Sequence, residues 1–375
     1  MCWKSALGFG ISSYLIDSKC HNNSTESWQS AYRLFNVLNA RGLSLSNSDL
    51  IKNKLFSLLG AQANRSDELE DRWLELEEEI GIDRLDAFLS HHRTSVIAAK
   101  AKGTLNEEFE RIIQAAHNGP FAFLEELIKS AKNYMKIIDC DFNEANAIRS
   151  LRALHRVEYD EWITPLLAYL NKPIVGLDEA RFIILLEKIT MQNWVRRLGR
   201  TARLTVYFQL ISAINSSKSV EEVVEIFRKN SQNSEFLTLL GGDLYGKPFD
   251  SAVLFRLEEA VQDDSVTKTY SGRSTIEHVL PQALKDEYWT KRFTEEKQNT
   301  WLHRLGNLTL LSGSKNYKAQ YYDFDRKKKI YLDRGKKVSF DLTKEICDSA
   351  EWTEAEIHQR HEKLLSLAAQ LWLIN

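Results

Sequence analysis

Residues 276–282 read Ile-Glu-His-Val-Leu-Pro-Gln and so put a carboxylate, Glu277, beside a histidine, His278. Two asparagines follow nine positions apart, Asn307 within Leu-Gly-Asn-Leu-Thr-Leu-Leu and Asn316 within Ser-Lys-Asn. These residue types meet the needs of phosphodiester hydrolysis with one metal ion. In-line attack by water needs a base of near-neutral pK, which a histidine supplies, and a divalent cation to offset charge developing on the phosphate and leaving oxygen. A carboxylate and an amide offer hard oxygen donors suited to Mg²⁺ (or Mn²⁺), which keeps several waters and needs few protein ligands. His278 is therefore the candidate base, and Glu277 and Asn316 are the candidate metal ligands. Asn307 joins the catalytic set as the residue that fixes the hairpin and the backbone of His278. Taken alone, His278 reads as a structural histidine and Glu277 as a carboxylate that only orients it; the register of the whole set argues for chemistry.

The elements that must position this set are short. A strand over 275–279 turns Glu277 and His278 to opposite faces, so that one can hold metal while the other meets the phosphate. Residues 307–311, rich in Leu and Thr, read as a second strand. Ser312-Gly313-Ser314 is a turn cluster, and a helix over 315–322 can start with Ser314 at its N-cap.

Strand, strand, helix is the order of a ββα-metal finger. Residues 277–282 with Asn307 and Asn316 resemble the HNH nuclease domain of the GmrSD family of modification-dependent restriction proteins, and more distantly the HNH domain of RNA-guided CRISPR nucleases. Phe324, Lys327, Lys328 and Tyr331 resemble the family's Phe, Lys, Tyr tail, and Trp352, Ile357, Arg360, Leu364 and Trp372 fit its closing helix. Residues 35–53 resemble the end of the ParB-like nucleotide-hydrolysing domain that precedes the nuclease in this family. Locally they read as a helix ending at Asn39, a turn at Arg41-Gly42, and a new helix capped by Ser46 with Asp49 at its third position. The Asp-Gly-Gln-Gln-Arg type motif of that domain does not occur in the sequence. The chain thus resembles an N-terminally shortened member, and no nucleotide site is assigned to it.

The resemblance implies a divalent-metal-dependent endonuclease acting on DNA, base-modified DNA included, in bacterial defence. Its companions would be further copies of itself or a separate nucleotide-hydrolysing protein. Two other classes stay open, a catalytically silent DNA-binding or assembly subunit and an RNase toxin.

Composition bounds the rest. Of 375 residues, 43% are hydrophobic and 27% charged, an ordinary balance for a protein with packed cores. Five prolines are about a quarter of usual content, which predicts long uninterrupted helices. Apolar periodicity at helical spacing runs through 69–80, 85–99, 119–138, 162–170, 182–194, 204–214 and 220–227. The expectation is a mainly α protein in three parts: a ParB-like remnant at 1–60, a helical body at 61–270 and a nuclease finger at 271–375. No stretch approaches the roughly twenty apolar residues of a membrane span. Cys2, Cys20, Cys140 and Cys347 are scattered, which argues against a disulfide framework or a zinc ribbon and for a reducing cytoplasm.

Charge is uneven. Residues 271–345 carry 16 Lys/Arg against 10 Asp/Glu on a chain whose net charge is −2. A basic module on an acidic body suits contact with phosphates, and Lys318, Arg326, Lys327, Lys328 and Lys329 are its candidate DNA-binding residues. Read blandly, the 326–329 run is a solvated helix face. Other groups carry less. His91 and His92 diverge on a helix and do not share a ligand, and His358 and His361 lie one turn apart with no third ligand. His303 lies close enough to the motif to touch phosphate, and Trp289 and Trp301 read as core residues.

Overall fold

A computed structural model of the chain describes residues 46–115, 119–262, 268, 273–333 and 340–375. The helix and turn expected over 35–45, and with them most of the ParB-like remnant, lie outside the described residues. The architecture is mainly helical, with two short strands.

The chain divides into two compact units, residues 1–78 with 103–125 and residues 79–102 with 126–375. The first contains α1 (Asn47–Ser57), most of α2 (Ser66–Ile80) and α4 (Leu105–Ala115). α1 starts as its sequence requires. Ser46 Oγ accepts from Asp49 N–H at 3.1 Å while the Asp49 carboxylate accepts from Ser46 N–H at 3.2 Å, so two otherwise unpaired donors of the first turn are satisfied. Along α2, Leu69, Trp73, Leu76 and Ile80 recur at helical spacing and are all buried.

The second unit begins with α3 (Ile82–Ile97) and takes in most of α5 (Gly119–Ile138), then α6 (Ala145–Leu154), α7 (Ile163–Asn171), α8 (Glu179–Val195), α9 (Arg200–Asn215), α10 (Val220–Asn230), α11 (Asn233–Leu240) and α12 (Asp250–Ala260). Each helix expected from periodicity is present. α8 is apolar on most of its circumference and correspondingly enclosed; Phe182, Ile183, Leu186, Ile189, Met191 and Val195 are all buried. Its Glu187 receives Arg256 Nε from α12 at 2.9 Å and Trp372 Nε1 from the last helix at 2.9 Å, a buried charge with its partners supplied from two later helices.

The two strands, β1 (Ser274–His278) and β2 (Leu308–Ser312), pair antiparallel with Glu277 opposite Thr309 and His278 opposite Leu308. β2 is buried on both faces. Leu308 and Leu310 enter a core that includes Met191, Trp194, Phe236, Leu257 and Trp372, whereas Leu311 enters another with Val279, Trp289, Tyr331 and Trp352. Packing is therefore continuous through the position expected to divide helical body from finger. Around the strands lie α13 (Glu287–Thr290), α14 (Glu295–Trp301), α15 (Gly313–Ala319), α16 (Phe324–Tyr331), α17 (Asp341–Asp348) and α18 (Glu354–Trp372). No helix among the described residues is long and apolar enough to cross a membrane.

His91 and His92 go to different partners, His91 to Asp160 at 3.2 Å and His92 Nδ1 to Ser130 Oγ at 2.8 Å. Burial pushes the His92 imidazole down to about 4. The unfolded chain takes up this proton near pH 6.5 and the folded chain only near 4, so the stability carried by the neutral ring is intact above pH 6.5 and is lost as pH falls through that window. Chemical denaturation between pH 7 and 4 should show a fall that His92→Gln reduces by roughly 3 kcal/mol; an unchanged slope in the variant would assign the acid sensitivity elsewhere.

Candidate active site

The hairpin places its residues through one buried amide. Asn307 is completely enclosed, and its Oδ1 accepts Leu280 N–H at 2.7 Å while its Nδ2 donates to Leu280 O at 3.0 Å and Leu302 O at 2.9 Å. Its own carbonyl accepts Val279 N–H at 3.1 Å. Asn307 thus ties the segment after β1 to the segment before β2 and holds the turn that follows His278, with both side-chain amide atoms bonded within the chain. Gly306 before it admits no side chain. A Cβ there would lie 2.4 Å from Ile357 O and 2.7 Å from His361 Cβ, so α18 packs directly on this backbone. Arg360 closes the contact with Nη1 donating to the carbonyls of Leu305, Gly306 and Leu308, and His361 Nδ1 accepts from Gly306 N–H at 3.2 Å. His361 is committed here and does not form a site with His358.

The faces of β1 separate the two motif residues. Glu277 points inward, where Oε1 accepts Lys327 Nζ at 2.8 Å and Tyr331 OH at 2.8 Å, and Lys327 also donates to His278 O at 2.7 Å. Burial raises the Glu277 carboxyl and lowers the Lys327 ammonium, each toward its neutral form, while their mutual attraction opposes both shifts. Asn316 reaches the same face from α15, donating Nδ2 to Thr275 Oγ1 at 2.9 Å and to Ile276 O at 2.8 Å. The helix that carries Asn316 differs from expectation. It runs Gly313–Ala319, with Ser312 rather than Ser314 at its N-cap, and stops because Gln320 takes φ 37° and Asp323 caps α16 by accepting from Arg326 N–H at 2.9 Å.

His278 faces the other way and is 7% exposed. Its Nε2 lies 3.2 Å from His303 Nδ1 and its Nδ1 lies 3.3 Å from Gln282 Nε2. The ring of Tyr245 stands edge-on to it at 4.3 Å and stacks on His303 at 5.5 Å. Burial pushes the His278 imidazole down to about 3, with His303 and Lys327 adding to the fall, so the ring is neutral near pH 7. Sequence reasoning missed Tyr245, although the Gly-Gly-Asp-Leu-Tyr-Gly-Lys-Pro loop at 241–248 is plain in the sequence. It weighed His303 only as a phosphate contact.

Donor chemistry suits a hard cation. The amide nitrogen of Asn316 is spent on β1, which leaves its oxygen as the acceptor, and Glu277 is the carboxylate on the same face. Among the described residues no group of three or more His, Cys, Asp or Glu could hold a metal ion, so water would complete the coordination.

The basic run does not act as one face. Lys327 is buried in the ion pair, which corrects its expected place among the DNA contacts, because a helix that buries Phe324 and Tyr331 also turns position 327 inward. Lys328 is half-buried and donates to Ser349 O at 3.0 Å. Arg326 and Lys329 are exposed, as is Lys318. Arg326 lies over the Tyr322 ring at 3.4 Å. Trp289 and Trp301 are core residues.

Removing one member of a buried ion pair leaves the other charge uncompensated. Lys327→Met should cost roughly 3–5 kcal/mol of folding stability, and Glu277→Gln in the same chain should recover most of it. A single variant as stable as the parent in urea denaturation would contradict the enclosed pair.

Residues 230–367 match the family model of the C-terminal domain of GmrSD restriction endonucleases, a span that takes in α11, α12 and the Tyr245 loop as well as the hairpin. No curated protein matches the chain. The motif residues all lie inside that span, and the C-terminal part of this chain is similar to the C-terminal domain of GmrSD restriction endonucleases, a similarity that implies a nuclease acting on DNA.

Proposed function

We propose that the chain is an HNH-type endonuclease that hydrolyses DNA phosphodiesters with Mg²⁺ or Mn²⁺, within a restriction system directed at foreign and base-modified DNA. The observation that carries this reading is His278, a neutral imidazole at the end of β1, with one ring nitrogen in contact with a second histidine and the other in contact with the exposed side chain of Gln282.

His278 takes a proton from water. The water oxygen bonds to phosphorus, the ester P–O bond breaks, and its electron pair goes to the departing sugar oxygen, which is protonated by solvent. Approach of the anionic phosphate favours the protonated imidazole and so opposes the desolvation that holds its basicity down. Glu277 and Asn316 would hold the cation, which when bound stabilises charge on the phosphate and leaving group. Lys327, 2.8 Å from the Glu277 carboxylate, competes with it, and weak cation binding follows. Arg326, Lys329 and Lys318 contact the DNA backbone, positioning it without reading sequence.

His278→Ala should lose on the order of 10²–10⁴ in plasmid nicking with DNA affinity unchanged, because a base acts in the transition state rather than in ground-state binding. EDTA should stop the parent enzyme, and Asn316→Ala should need more Mg²⁺ for half-maximal rate. Nicking by the His278 variant at the parental rate, or full activity in EDTA, sinks the assignment.

The exposed cations give a separate expectation. Arg326→Ala with Lys329→Ala should weaken binding to all duplex sequences alike and reduce the slope of log affinity against log salt by about 0.9 for each phosphate that is no longer neutralised. A parental slope would mean that DNA is held elsewhere.

A further inference from the structure

His303 stands outside the residues assigned above, yet it makes a close polar contact with His278. The donor and acceptor roles follow from the second contact. Gln282 approaches His278 Nδ1 with its amide nitrogen at 3.3 Å, and an amide NH₂ can only donate, so Nδ1 is the acceptor. A neutral imidazole has one ring hydrogen, which must then be on Nε2, and Nε2 is 3.2 Å from His303 Nδ1. The bond therefore runs from His278 Nε2–H to His303 Nδ1, and His303 keeps its own hydrogen on Nε2.

His303 is itself held. Its backbone carbonyl accepts Leu244 N–H at 2.8 Å and Tyr245 N–H at 3.2 Å, and Asp243 bridges to Arg304. The Tyr245 ring lies within 12° of parallel to the His303 imidazole. The loop between α11 and α12 thus fixes the ring that faces His278, from a part of the sequence well before the motif.

We propose that His303 is a positioning residue for the hydrolysis: it accepts the Nε2 hydrogen of His278 and so leaves His278 Nδ1 as the nitrogen that removes the proton from water, with Gln282 the exposed side chain that this water displaces. The proposal rests on the nuclease reading given above. The proton passes from water to Nδ1 while Nε2–H stays bonded to His303 throughout, so the ring does not turn when it becomes charged. Without His303 the ring loses this acceptor for Nε2–H, and the other tautomer, with Nδ1–H and no base on the water side, becomes accessible.

The test uses the full chain with Mg²⁺ and supercoiled plasmid. His303→Ala should lower kcat by on the order of 10², within the contribution of a general base, with KM unchanged. His303→Asn keeps an acceptor at the δ position and should recover most of that loss. His303→Phe keeps the stacking on Tyr245 but has no acceptor, and should not recover it. In parallel, nitrogen NMR of histidine-labelled protein should show His278 with its hydrogen on Nε2 in the parent and a mixture of tautomers in the Ala and Phe variants. Rescue by Phe and not by Asn would reduce His303 to packing, and a hydrogen on His278 Nδ1 in the parent would overturn the proposal. If the parent itself does not cleave DNA, the nuclease reading falls, and the NMR result alone decides whether His303 orients the ring.

Discussion

One buried carboxamide sets the geometry on which the rest of this site depends. Asn307 has no exposed surface, yet both its amide atoms are bonded, to the N–H and C=O of Leu280 and to the carbonyl of Leu302. A buried polar group left without partners costs about 1–3 kcal/mol, so the turn at 279–282 has strong reason to stay in the one conformation that satisfies this side chain. That conformation places His278 at the last position of β1, where its side chain leaves the sheet toward the Tyr245 loop. Gly306 and Arg360 extend the same constraint to α18, because the hairpin lead-in can lie against that helix only without a side chain at 306.

The pleat then divides labour between adjacent residues. Glu277 and His278 are neighbours in sequence but face opposite cores, one toward Lys327 and Tyr331, the other toward His303 and Tyr245. The buried ion pair lies on the first face. Lys327 donates to both the Glu277 carboxylate and the His278 carbonyl, so the ion pair also supports the backbone of His278.

Much of this was legible. Helical stretches with clear periodicity, such as α2 and α8, lie where their apolar residues require, and the strand–strand–helix order around the motif follows from Leu/Thr runs punctuated by Ser312-Gly313-Ser314. Other features were not. The inward turn of Lys327 depends on which face of α16 the partner helices cover, which a run of four basic residues conceals. Tyr245 belongs to the site because of backbone bonds between 244–245 and 303, a long-range pairing with no local signal. The tautomer of His278 is set by the side-chain directions of Gln282 and His303, which residue spacing alone does not determine.

The Asn307 amide holds the turn that follows His278. Amide hydrogen exchange followed by peptide mass spectrometry measures it directly in the peptide covering 276–284. Slow exchange is expected there in the parent, and fast exchange in Asn307→Ala while the peptides of α8 remain protected. A 276–284 peptide that is as protected in the variant as in the parent would contradict it.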